Sequence, residues 1–435
     1  MNAEYYMLLR EFLSFKTLPL NYGLDYVKEH KKCWERLQNL FMKYNFNVRV
    51  VNWRESPIVI AQYNVSDDAE TWIIYGHYDV NGANIKDGWK DDPFSLYFWK
   101  DKIIGRWVAS WKAIILLDMF NIFRLIQEWQ LRYNVIFMIE WEYFQWSEGL
   151  KKLLQENKFK TDFFFSNIWT IAQKNLVLNT WFRWNFDAKI QLKSAEKMAL
   201  VSQYGWMLQN PIHDLSRLLS KIYDSNGRIT IPYFYYEMDD LSANEKTLNA
   251  RFPFDKELFL QEFWAKMIKL EDIDYYSKAG WKPCIEVTSF NSWESNFSVE
   301  TIQPNASAIL NFKLVPNQKV DAIKSLFREW VKGNLLTDID YELTFSWEAE
   351  PVKFDVSNYF ANRAETLLRQ VSWVKVWEVI SWFSLPIAKA MLANTQNIVN
   401  VPLVNVDSNI DGINENLSIE LLEKWTEFLY EFFRK

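Results

Sequence analysis

Of three histidines in 435 residues, one has neighbours suited to holding a metal. His77 lies in Gly76-His-Tyr-Asp-Val80, directly after the apolar run Trp72–Tyr75, with Asp79 two residues on. A neutral imidazole is a good zinc ligand, and a carboxylate at that spacing can orient its ring. The same two residues can instead form a hydrogen-bonded pair that fixes a loop, and both readings stay open. His30, among Lys28, Glu29, Lys31 and Lys32, reads as part of a solvated helix face. His213 reads as a helix-face residue behind Asn210, which precedes Pro211 and is suited to capping that helix or to touching a ligand. Glu140 and Glu142 follow the apolar run Val135–Ile139, and alternation along a strand end would turn them away from Trp141 and Tyr143. Ser110 has no nearby His and Asp partner signature, so a serine-hydrolase reading has little support.

These residues need a scaffold, and the apolar periodicity supplies one. Residues 4–45 read as helical through Tyr26, Val27, Cys33, Leu37, Leu40 and Phe41. Short continuous apolar runs follow at Val48–Val51, Ile58–Ala61, Trp72–Tyr75, Val135–Ile139 and Phe163–Phe165, with a helical stretch Ala113–Trp129 among them. Continuous apolar strands separated by a helix imply an α/β fold: a mostly parallel sheet with helices on both faces. From about residue 180 the strands alternate (Phe186–Leu192, Ala306–Leu314, Tyr341–Ser346), with helical stretches Pro211–Tyr223 and Asp321–Lys332. The α/β texture returns near residue 355, with Ile398–Val404 and an amphipathic helix over Ser418–Phe433. The organisation expected is therefore an α/β domain (1–180 and 355–435) interrupted by an inserted α+β domain (181–354), to which the resemblance described below gives the role of a lid or dimerisation domain.

Composition narrows the function classes. A net charge of −6 leaves no electrostatic footprint for nucleic acid. The apolar runs are far below the ~20 residues of a membrane span. Two cysteines, Cys33 and Cys284, argue for a reducing compartment, and the opening MNAEYYMLLREFLSF lacks the apolar core of a signal peptide. A cytoplasmic location is the expectation.

Longer motifs then follow in order: GHYDV at Gly76–Val80, KDGWKDDPF at Lys86–Phe94, DKIIGRWVASWKA at Asp101–Ala113 and IEWEYFQWSEGL at Ile139–Leu150. NPIHDL at Asn210–Leu215, ILNFKLVPNQ at Ile309–Gln318, SWFSLPI at Ser381–Ile387 and NIDGINE at Asn409–Glu415 continue the series. Together they resemble the zinc peptidases and amidohydrolases that include succinyl-diaminopimelate desuccinylase, acetylornithine deacetylase, aminoacylase and carnosine-type dipeptidases. The resemblance spans essentially the whole chain. It implies two zinc ions bridged by an Asp and a water, a Glu as general base, and terminal His and acidic ligands.

Carried across residue by residue, that pattern finds a changed inventory. His77 keeps the first His ligand and Asp79 its orienting carboxylate. The bridging Asp falls on Ser110, the base and its neighbouring ligand on Tyr143 and Phe144, the next acidic ligand on Asn167, and the last His on Asp411. A lid His falls on Leu200, and Lys313 stands where many relatives carry Arg, which weakens bidentate carboxylate recognition. Phe cannot ligate, Ser and Asn are poor bridges, and a Tyr with an ordinary pKa near 10 is no base at pH 7. Asp411 alone of the altered positions keeps a ligand-competent group.

Tryptophan is unusual too. There are 23 Trp and 11 Gly, together roughly 8% of the chain, close to the ~7% that glycine alone normally makes. The family pattern has glycines (or, at Trp111, an acid) at Trp107, Trp111, Trp141, Trp146, Trp206, Trp382 and Trp425, whereas Trp89 matches a true family Trp. A glycine-coding UGA translated as Trp would produce this; a Trp-rich protein is the alternative. Recoding would restore no ligand, because none of the altered ligand positions is Trp.

The expected function is thus that of a pseudoenzyme: a zinc metallopeptidase or amidohydrolase fold, acting in binding or regulation, with zinc absent or limited to one ion. A peptide or N-acyl amino acid is the expected ligand, and a homodimer through the inserted domain the expected assembly. The alternative is an active metal-dependent dipeptidase or N-acyl amino acid amidohydrolase with rewired ligands, using His77, Asp411 and Glu140 or Glu142.

Overall fold

The computed structural model describes residues 3–19, 26–54, 56–156, 159–168, 175–238, 242–262, 265–267, 282–292, 300–315, 317–335, 339–349, 352–353, 355–372, 375–380 and 385–434. The chain forms two compact units. The first comprises Met1–Phe182, Leu248–Tyr276 and Val352–Lys435, and the second Arg183–Thr247 and Ser277–Pro351.

The first unit opens with two helices, α1 (Ala3–Ser14) and α2 (Val27–Lys43), where the periodicity suggested one continuous helical stretch. Where the chain leaves α1, Lys112 satisfies carbonyls that the helix end leaves without partners: its Nζ donates to Phe12 O at 3.0 Å and Phe15 O at 2.6 Å. Strands β1 (Asn47–Trp53), β2 (Ser56–Tyr63) and β3 (Thr71–His77) follow. Two short strands, β4 (Tyr97–Trp99) and β5 (Lys102–Ile104), form a small antiparallel sheet with Asn416–Ser418. Then come helix α3 (Trp111–Gln127), β6 (Asn134–Glu140), helix α4 (Glu148–Glu156), β7 (Phe163–Ser166) and β8 (Leu176–Phe182).

The main sheet runs β1-β2-β6-β3-β7, then Ile398–Asn400, β8 and Val352–Lys353, with Val376–Ile380 also on β8. Its centre is parallel: β3 lies between β6 and β7, and Ile398–Asn400 extends β7 in the same sense. Antiparallel pairs occupy the flanks. Every residue of β3, β6 and β7 is buried, as expected where helices cover both faces. Parallel neighbours also place their carboxyl ends together, which is where open α/β sheets put their ligands. His77 ends β3 in register with Glu140, the last residue of β6.

The second unit is a four-stranded antiparallel sheet in the order Cys284–Asn291, Asn305–Leu314, β9 (Trp184–Lys193), Asp340–Ala349. Asn305–Leu314 alternates between buried and less buried residues along its length, so one face packs on a core. That core includes Phe186, Leu310, Phe312, Phe327 and Trp330, beneath the helices Pro211–Ser220 and Val320–Asn334. A short ladder of strand β10 (Ala199–Leu200) with Thr301–Ile302 leads into the one-turn helix α5 (Val201–Tyr204).

Trp occupies left-handed backbone positions that favour glycine at several places. After α3, Gln130 N bonds Leu125 O at 2.8 Å and Trp129 N bonds Ile126 O at 3.1 Å, with Trp129 at φ 56°. This is the double bond of a Schellman cap, whose left-handed residue is usually Gly. Trp107 (φ 80°) and Trp146 (φ 68°) are likewise left-handed. The indole nitrogens of Trp107 and Trp141 are buried without a hydrogen-bond partner. Trp382 lies outside the described residues.

Candidate metal centre

The turn after β3 holds the retained pair. His77 Nδ1 meets Asp79 Oδ1 at 2.6 Å, and both side chains are buried. Asp79 Oδ2 also accepts the Phe144 amide at 2.9 Å, so both oxygens of the carboxyl group are engaged. Burial holds the His77 pKa well below its ordinary value, and nearby Lys112 acts in the same direction. Burial raises that of Asp79, while the amide donors pull the other way. The imidazole is neutral, and its buried Nε2 has no hydrogen-bond partner.

What faces that ring is aromatic. Tyr143 stacks on it, centroids 4.3 Å apart and planes within 9°, and Trp111 lies at 3.9 Å. Phe144 and Trp107 stand edge-on at 5.8 and 5.9 Å. Tyr143 and Phe144 reach it because β6 ends at Glu140 and the chain turns tightly at Tyr143–Gln145, with Trp146 left-handed behind it.

That turn also corrects the expected strand alternation of Glu140 and Glu142. Glu140 closes β6, where its Oε1 accepts Tyr75 Oη at 2.5 Å and Ser147 Oγ at 2.6 Å, and burial pushes its pKa up to about 8. Glu142 caps the turn, accepting the Gly149 amide at 2.8 Å and pairing with Arg54 at 3.2 Å. Glu142 thus supports the backbone, whereas Glu140 is held by two hydroxyls and keeps a buried Oε2 without a hydrogen-bond partner.

The remaining positions are similarly committed. Ser110 Oγ donates to Glu415 Oε1 at 3.0 Å, as does the Ala109 amide, and Arg106 lies 3.4 Å from the other oxygen. Burial lifts the Glu415 pKa to about 7. Asn167, just past β7, donates through Nδ2 to both oxygens of Asp118, at 2.8 and 2.9 Å. Asp411 is left-handed (φ 60°), hydrogen-bonds Asn81 and keeps a buried Oδ1 without a partner. Burial raises its pKa, and Arg106 opposes that rise. In the second unit, Asn210 caps its helix: Oδ1 accepts the Ile212 amide at 3.0 Å. His213 is exposed, as expected.

His30 differs from expectation. It is buried, with Nε2 2.7 Å from Leu18 O, and burial lowers its pKa to about 4. The flanking charges suggested solvent, but His30 lies three residues before Cys33 on the stripe of α2 that continues through Leu37, Leu40 and Phe41. Asp118, Glu415 and Arg106 were not picked out from sequence. A lone acid in AIILLDMF was the available signal for Asp118.

Two dications need several carboxylates around them, or the buried charge is uncompensated. Among the described residues no three His, Cys, Asp or Glu side chains are grouped to hold an ion. His77 Nε2, Glu140 Oε2 and Asp411 Oδ1 are buried atoms without a hydrogen-bond partner that a metal could use, but the positions that the resemblance gives to the bridge, the base and its neighbouring ligand carry a hydroxyl, a phenol and a phenyl ring. The residues present do not fit the paired zinc site that the resemblance implies.

Residues 188–338 match the family described as a peptidase dimerisation domain of the M20 kind. The β-Ala-His dipeptidase of Mus musculus is 24% identical over 381 residues, covering 83% of this chain and 76% of that protein. Human carnosine dipeptidase 1 superposes with a TM-score of 0.90 at 19% identity, covering 99% of this chain and 95% of that one. The M20 metallo-carboxypeptidase Sso-CP2 of Sulfolobus solfataricus gives 0.88 at 22% identity, covering 100% and 99%. The ordered motifs, the parallel sheet with His77 and Asp79 at its carboxyl edge, and the match over residues 188–338 agree in making the chain similar to zinc peptidases of the M20 kind.

Proposed function

We propose that this chain binds a dipeptide or N-acyl amino acid without hydrolysing it, serving as a binding or regulatory member of its family. The observation that carries this reading is the pair Tyr143–Phe144, which occupies the base and ligand positions and packs on His77. A phenol is a poor base at neutral pH and a phenyl ring has no lone pair for a metal. The reading includes at most one metal ion, at His77 or Asp411, and a homodimer through the second unit, whose match to a dimerisation domain supports it. Cys33 and Cys284 are free, which supports the expected reducing, cytoplasmic compartment. Among the described residues no helix is long and apolar enough to cross a membrane.

A second reading is amide hydrolysis with rewired ligands. The names of the relatives, which are dipeptidases, speak for it more directly than for the first. The partnerless Nε2 of His77 also supports it. Hydrolysis of β-Ala-His and Cys-Gly by the full chain with zinc, manganese or cobalt separates the two, with human carnosine dipeptidase 1 as positive control. Turnover above background that His77→Ala abolishes would establish the second reading. Calorimetric dipeptide binding without turnover would support the first.

A further inference from the structure

Each of the two cysteines has a lysine nearby, and the two pairs are built differently. Cys33 is wholly buried on α2, and burial pushes its thiol up to about 12. Its neighbour Lys112 commits Nζ to the Phe12 and Phe15 carbonyls. A buried thiol beside an engaged amine is chemically inert.

Cys284 is half-buried and opens the edge strand Cys284–Asn291 of the second unit's sheet. Lys313 lies opposite it in register on the neighbouring strand. Ile285 and Phe312 beside them belong to the core, so Cys284 and Lys313 share the other face. Opposed residues on one face have Cβ atoms about 5 Å apart, within reach of a lysine side chain. Among the described residues no hydrogen bond or ion pair ties Lys313 Nζ. The acid on this face, Asp187, accepts Asn311 Nδ2 at 2.6 Å.

Burial lowers the Lys313 pKa to about 8, and the Arg183 guanidinium acts in the same direction, against Cys284 and Asp187. Part of the amine is therefore neutral near neutral pH, the form that acts as a nucleophile. Arg183 is buried, donates Nη2 to Lys282 O at 2.8 Å and hydrogen-bonds the Cys284 sulfur. A guanidinium stays protonated and cannot take the amine's part. On the other side of Lys313, Asn185 is 4% exposed and its Oδ1 has no hydrogen-bond partner. That oxygen can accept the N–H that Nζ would keep after forming a new bond.

We propose that Cys284 and Lys313 are an oxidation-driven cross-linking pair, joined by a sulfur–nitrogen (sulfenamide) bond when hydrogen peroxide reaches the thiol. The peroxide oxidises Sγ–H to Sγ–OH and is reduced, its other oxygen leaving as water. Neutral Lys313 Nζ then attacks Sγ. The S–O bond breaks, and its hydroxyl leaves with one amine proton as a second water. An Sγ–Nζ bond carrying one N–H remains, and the pair has lost two hydrogens. Two equivalents of a thiol reverse the link, restoring cysteine and amine while the thiol becomes a disulfide. Such a link pins the edge strand reversibly, as suits a redox-sensing bond in a reducing compartment. It is independent of whether the chain hydrolyses anything.

The test oxidises the folded full chain with a few equivalents of hydrogen peroxide, removes the excess with catalase, then unfolds, alkylates and digests it for mass spectrometry. The peptides holding Cys284 and Lys313 should appear joined, two hydrogens lighter than their sum, and dithiothreitol before digestion should release them. Cys33 should remain alkylatable. Lys313→Arg keeps the cation without the nucleophile: it should give no link and should label several-fold more strongly with a dione probe for sulfenic acid. Cys284 that stays alkylatable, an intermolecular disulfide through Cys284, or equal dione labelling of the two proteins overturns the proposal. If Lys313→Arg misfolds, oxidation of the unaltered chain in urea replaces it. The link must then be absent in urea and present in the folded chain, and equal yields overturn the assignment.

Discussion

The turns after β3 and β6 leave adjacent parallel strands side by side, yet they have fared differently. After β3, His77 and Asp79 keep the bond a metal site would use, 2.6 Å long and steadied by the Phe144 amide. After β6, the glutamates that remain, Glu140 and Glu142, bind Tyr75, Ser147, Gly149 and Arg54, while Tyr143 and Phe144 supply rings. The difference separates two jobs of polar residues in such a site. On the proposed reading, bonds that hold the backbone persist without a metal, whereas the carboxylates that the resemblance would place there to offset a dication are absent from Ser110, Tyr143, Phe144 and Asn167. Those carboxylates would cost several kcal/mol each if buried unpaired.

Replacing the missing acids should give the largest effect. Ser110→Asp/Tyr143→Glu/Phe144→Glu/Asn167→Asp should unfold about 3–5 kcal/mol more easily in chelator. Zinc at a hundred times its dissociation constant should return about 2.7 kcal/mol. Denaturant titration with and without zinc reads both, and an equal zinc gain in the unaltered chain would break the contrast between the two turns.

Asp79→Ala strands both the Phe144 amide and His77 Nδ1, and should cost about 3 kcal/mol by denaturant titration. A loss no larger than that of an exposed Asp67→Ala control would mean the retained pair has no structural role.

Glu140 sharpens the other turn. Its pKa is about 8 in the fold against an ordinary 4.5, so the native chain holds a proton there that the unfolded chain has released. Stability from this group is present at low pH and lost as pH rises toward 8. Between pH 6.5 and 8, above the ordinary His value, the unaltered chain should lose about 2 kcal/mol more than Glu140→Gln. Parallel pH profiles would show that Glu140 does not titrate in this window.

The smallest effect is Trp129→Gly. Trp129 is left-handed and 85% exposed, so Gly relieves strain without leaving a cavity. The midpoint of thermal unfolding should rise by the equivalent of about 1 kcal/mol. No change, or a fall, would count against glycine as the residue this turn requires.

Much of this was legible in sequence because continuous apolar strands and the ordered motifs carry their own placement. His77 at a strand end and the alternating strands of the second unit follow from period and spacing, while for Asn210 spacing left open both a cap and a ligand contact, and the structure shows the cap. The environment of Ser110 did not, since its partner Glu415 is 305 residues away. Asn167 was read as a failed ligand, but its role depends on Asp118, which a helix brings from 49 residues earlier. His30 was misread because local charge was weighed above its place on the stripe of α2. Recoding Trp107 and Trp111 as Gly would open space around His77 and still leave Tyr143 and Phe144 facing it.

Metal content per chain tests the account most directly, measured by elemental mass spectrometry on full-length protein equilibrated with zinc and desalted, beside His77→Ala. The account predicts no more than one weakly held ion. Two zinc ions per chain, lost on His77→Ala, would contradict it and make hydrolysis the reading to pursue.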